Sequence, residues 1–162
     1  MASIYGQILN AVASQLSAIP SIPLNNAGQP NVSVRSKPLD LSGVDVLPNV
    51  IVWPGPGAEQ QIDLQFGGPT GTSAGVWWEY PVSVVLIVAG NRGVQSGLTS
   101  FLNLREAIRN QLFIGSLTGF PSNVFDVEIE LGDVFDLQAF LSGNYDVCSF
   151  VCRYKSTEQL SG

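Results

Sequence analysis

The run Val76–Ala89 constrains this chain most, because Trp77, Trp78, Tyr80, Val82, Val84, Val85, Ile87 and Val88 crowd it with aromatic and β-branched side chains. Such residues fit a pleated, half-buried surface, so the run predicts a long strand and a fold built around a sheet. Its most apolar part, Val82–Ala89, contains Ser83 and spans about eight residues, too few to cross a bilayer as a helix. Pro81 has no N–H to donate and predicts an edge position or a bulge near the start of the strand.

The other elements follow from periodicity. Ile4, Ile8, Val12, Leu16 and Ile19 recur every three to four residues, which predicts an amphipathic helix with Ser3 as N-cap and Pro20 as the stop. Val32 and Val34 alternate in a possible short strand, and Asn49–Trp53 reads as another. Pro54–Gly75 is rich in glycine and proline, yet Ile62, Leu64 and Phe66 alternate within it, so a hairpin arm is expected rather than a structureless linker. Gly90–Gly97 reads as a turn. Leu98, Phe101, Leu102, Arg105, Ile108 and Leu112 mark a second helix, with Glu106 and Arg109 able to pair on its outer side. Val124–Leu131 alternates, with Val127, Ile129 and Leu131 on one face and Asp126, Glu128 and Glu130 on the other. Tyr145–Tyr154 reads as the last strand, and the polar stretch 155–162 as a frayed tail. The expected architecture is α+β: a mainly antiparallel sheet with two amphipathic helices packed on one face, plus the 54–75 loop or arm, as a single domain over 1–162.

Composition limits the chemistry. The 162 residues include no histidine, and the formal charge is 7 − 13 = −6. Histidine-based triads, H-E-x-x-H zinc sites and His-containing zinc fingers are therefore excluded. Seven basic residues scattered along an acidic chain are poor equipment for binding nucleic acid or an anionic membrane. Met1–Pro20 lacks the pattern of a signal peptide. Cys148 and Cys152, the only cysteines, lie four residues apart on a predicted strand, about 13 Å, too far to bond to each other. They are expected as small buried hydrophobes in a reducing compartment.

Gly71-Thr72-Ser73-Ala74-Gly75 matches G-x-S-x-G but precedes a strand and has no histidine base, so it is a chance match. No phosphate-loop or dinucleotide fingerprint occurs. Asp126, Glu128 and Glu130 are the sharpest charge feature: a solvated strand face, a cation or acid–base site, or an electronegative lining that repels DNA phosphates in a ring channel. Trp77 and Trp78, being adjacent on a strand, point to opposite faces, so one is available for the core and the other for a subunit contact or for packing under the 54–75 loop. Arg92 is a further candidate contact residue. No catalytic, metal-binding or cofactor-binding residue emerges.

The order and type of these elements resemble the tail-completion, or tail-terminator, proteins of long-tailed bacteriophages. The likeness rests on helix Tyr5–Ile19, strand Pro48–Val52, the long strand Trp78–Val88, helix Leu98–Leu112 with Leu104-Arg105 and Ile108-Arg109, the acidic strand Val124–Leu131 and the closing strand Tyr145–Tyr154. It implies a non-enzymatic homo-oligomer, a hexameric ring that caps the tail tube and offers a surface to the head-side connector or stopper. The implied partners are the tail tube protein, that connector and, in a contractile tail, the sheath protein. DNA would pass through without specific binding. No cofactor and no membrane are implied. The implied location is the virion tail or neck, with assembly in the host cytoplasm. The 54–75 stretch exceeds the compact family pattern and leaves room for a decoration or a contact to a neighbouring ring. The alternatives are another neck connector ring of the stopper type, a small-molecule-binding α+β module, and a histidine-free enzyme using the acidic strand.

Overall fold

A computed structural model describes residues 3–35, 47–57, 59–65, 75–90, 95–114, 117–134, 136, 138 and 145–159. The order is α1 (Ile4–Ser17), β1 (Val32–Val34), β2 (Asn49–Pro54), β3 (Gln60–Gln65), β4 (Gly75–Ala89), α2 (Gln95–Ile114), β5 (Val124–Leu131) and β6 (Tyr145–Gln159). The sheet runs β1-β2-β4-β6-β5, with β3 also pairing to β4. Only β1 and β2 pair in parallel among these strands; the other pairings are antiparallel. This is the expected α+β architecture, and the sheet is not closed.

Local chemistry explains α1. Ser3 sits in an extended conformation, and its hydroxyl accepts a hydrogen bond from the Gly6 N–H, satisfying one orphan donor of the first turn. Ile8, Leu9, Val12 and Leu16 form the buried stripe. The helix ends at Ser17, with Ala18 closing the last turn on Gln15 and Leu16 before Pro20. Helix α2 begins at Gln95, so Gly97, expected in the turn, lies inside the helix; residues 91–94 lie outside the described set.

Both helices pack on the same face of the sheet. Ile8, Val12 and Leu16 from α1 and Phe101, Leu104 and Ile108 from α2 meet Val50, Val52, Val82, Val84, Leu86, Cys148, Phe150 and Cys152 in one core. The two cysteines are free and buried on the same side of β6, as the strand reading required. Burial pushes the Cys148 thiol up to about 11 and the Cys152 thiol up to about 12.

Two expectations are corrected. Pro81 lies neither at an edge nor at a bulge. Strand β4 is interior, and its register with β6 runs unbroken through Pro81 opposite Arg153. On its other side β2 pairs as far as Val82 and β3 begins at Glu79, so Pro81 falls in the gap between two partner strands. An absent N–H costs nothing in that gap. The Pro81 carbonyl is satisfied there by the Gly55 N–H at 2.7 Å and by the Tyr5 hydroxyl. The predicted frayed tail is also wrong through residue 159, because β6 continues to Gln159. Ser156 is buried and accepts from the Asn123 amide, and the Tyr80 hydroxyl donates to Glu158. Residues 160–162 lie outside the described set. Of the 54–75 arm, β3 is the expected strand, paired with the start of β4; residues 58 and 66–74 lie outside the described set.

Candidate functional site

The face of the sheet away from the helices has three zones. At one end Ile51, Val85, Ile87 and Val147 form a small buried cluster, packed against by Leu47, Trp53 and Tyr145. The middle zone is charged. The far end carries an aromatic pair, Trp77 and Phe125, with ring centroids 5.2 Å apart.

The charged zone contains the sequence's sharpest feature. Strand β5 brings Asp126, Glu128 and Glu130 to this face, because Val127 and Ile129 turn the opposite way and pack on the core. Their counter-charges come from β6. Lys155 Nζ lies 3.0 Å from Asp126 and 3.9 Å from Glu128. Arg153 lies 3.4 Å from both Glu130 and Glu79, the latter on β4. The hydrogen bond to Asp126, aided by that residue's charge, holds the Lys155 ammonium above its ordinary value. Four carboxylates thus face two cations, 2 − 4 = −2, and the zone keeps a net negative charge.

The strand reading placed the three acidic residues together correctly but missed Glu79, Arg153 and Lys155. A signal existed: Arg153 and Lys155 alternate with Cys152, Tyr154 and Ser156, which is the period of a half-buried strand. The acid side chains on β5 are more than half exposed and engaged in ion pairs. That favours charge presentation over acid–base chemistry, which needs carboxyls held in contrasting environments.

Trp77 and Trp78 point to opposite faces, as adjacent strand residues must. Trp78 packs against the core under the helices. Trp77 lies on the opposite face against Phe125, where a register shift between Val124 and Asp126 accommodates the ring. Arg92 lies outside the described residues.

Among the described residues, surface depressions occur in two further places. One of about 220 Å³ is lined by Val85, Val147, Ser149, Asp133 and Asp136. A more open one of about 410 Å³ lies between α1, at Gln7, Asn10 and Ser14, and the Gly119–Pro121 loop. Among the described residues no group of three or more Cys, Asp or Glu side chains is placed to hold a metal ion, and no helix is long and apolar enough to cross a membrane.

No family model matches the chain, and no curated protein matches it. A solved sheath/tube terminator of an extracellular contractile injection system (PVC), in its extended state, superposes with a TM-score of 0.53 at 13% sequence identity. The match covers 96% of this chain and 56% of that one, so this chain spans little more than half the terminator's length. At that identity the likeness is one of fold.

Proposed function

We propose that this chain is a structural subunit that terminates a tail tube, assembling as a ring, six subunits by the bacteriophage resemblance, on the tube's last layer. The observation that carries the reading is the fold likeness to a sheath/tube terminator over 96% of the chain. That neighbour's role makes a sheath a candidate partner beside the tube and a head-side connector. The work is mechanical: copies bury apolar surface against one another, close, and block further tube addition. The charged zone, at a net −2, suits a channel lining that a polyanion passes without sticking.

The test is tube length. Tube protein polymerised alone is expected to give tubes of uncontrolled length, and adding this chain is expected to stop growth and leave a ring at one tube end. Unchanged growth with no end-bound density contradicts the proposal.

A further inference from the structure

The exposed apolar side chains of this fold gather at its two lateral ends. Among the described residues eight large hydrophobics are exposed, by 40% to 60%. Leu24 and Val34 lie at the β1 end of the sheet. Phe125, Leu131 and Val134 lie at the β5 end, where Gly132 and Asp136 continue to bond the backbone of β6.

The remaining three, Leu98, Leu102 and Phe113, share one stripe of α2 with Arg109, by their spacing of four, eleven and fifteen residues. The buried stripe of the helix is Phe101, Leu104, Ile108 and Leu112. On one side of it lies Gln111, whose carbonyl accepts from Gln15 of α1. The exposed stripe lies on the other side, away from α1. Helix α1 packs over β1 and β2, and α2 over β6, so the exposed stripe overhangs the β5 end.

Charge separates the described parts of the two ends as well. Among the described residues, those that build the β1 end, 3–35 and 47–54, include Arg35 and no carboxylate side chain. The β5 end holds Asp126, Glu128 and Glu130. Two β5 ends brought together would oppose like charges, whereas a β5 end against a β1 end brings Arg35 to the acidic strand. An edge strand left bare invites pairing, and a covered edge is the stable outcome.

We infer that successive copies join head to tail, with the β5 edge and the Leu98–Leu102–Phe113 stripe of one copy seated on the β1 flank (Leu24, Val34 and Arg35) of the next. Contacts of this heterologous kind generate rings when the rotation closes. The inference rests on the ring reading above and adds which surfaces meet.

The experiment is sedimentation of the full-length protein with two variants, Leu102→Asp and Val34→Asp, alone and mixed. Wild type is expected to assemble. Each variant alone is expected to sediment as a monomer, with association weakened roughly tenfold or more. The equimolar mixture is expected to form a 1:1 dimer and stop, because each variant retains the one intact flank that the other needs. Wild type that stays monomeric at every concentration and leaves added tube ends bare contradicts the ring itself; if it assembles only on tubes, density at the tube end reads the same variants and their mixture. Wild type that assembles while either variant also assembles, or while the mixture stays monomeric, overturns the pairing of flanks and leaves the ring standing. If an Asp variant fails to fold by circular dichroism, Leu102→Gln and Val34→Gln carry the same test.

Discussion

Lys155 on β6 and Asp126 on β5 face each other across the strand register, with Nζ 3.0 Å from the carboxylate. The pair ties the edge strand to the sheet interior and offsets part of the acidic face. Lys155→Ala is expected to lower stability slightly in low salt, with the difference from wild type vanishing in high salt; urea titrations at two ionic strengths measure it. Because the folded-state value of Lys155 is raised, its contribution is present throughout neutral pH. It is lost only as pH climbs past the ordinary lysine value of 10.5.

The buried thiols set an alkaline limit. An unfolded cysteine ionises near 9.0, while Cys148 and Cys152 are pushed up to about 11 and about 12 by burial. Above the unfolded value the unfolded chain sheds protons that the folded chain keeps, so stability falls as pH rises from there through the folded values. Denaturant titrations across that range are expected to show a steeper loss for wild type than for a Cys148→Ala, Cys152→Ala variant. Both thiols are also expected to resist alkylation at neutral pH until the protein unfolds.

Much of this fold is legible in local pattern, and the exceptions share a cause. Ser3 and the Ile8–Val12–Leu16 stripe mark α1, and the strict alternation in Val124–Leu131 marks β5 with its correct faces. Pro81 was misplaced because its tolerance depends on where two other strands stop and start, which is a property of pairing partners and not of β4. Residues 155–159 look like a polar tail because their strand character comes from β4, β5 and the Tyr80–Glu158 bond, all distant in sequence. The same distance hid the cations from the acidic strand: Lys155 is 29 residues from Asp126.

Gly55 is predicted to be intolerant of a side chain. A Cβ there would stand 2.9 Å from the Pro81 carbonyl carbon and 3.0 Å from its oxygen, both backbone atoms held in the middle of the sheet. Gly55→Ala is expected to cost about 1–3 kcal/mol. Thermal melts read this as a drop of roughly 2–4 °C per kcal/mol.

The two tryptophans are predicted to separate by function. Trp78→Ala removes a ring packed on the main core and is expected to give the larger fall in melting temperature. Trp77→Ala removes the contact with Phe125, worth about 0.5–1.5 kcal/mol beyond its area. If Trp77 serves a subunit contact, its loss also lowers the assembled fraction at a fixed concentration. Parallel melts and sedimentation runs on both variants check this order.

The most direct measurement is electron microscopy of the purified full-length chain over a concentration series, with and without tail tubes. The account predicts closed rings with a central channel, found free at high concentration and at one end of each tube. Single globular copies at every concentration, with bare tube ends, would contradict it.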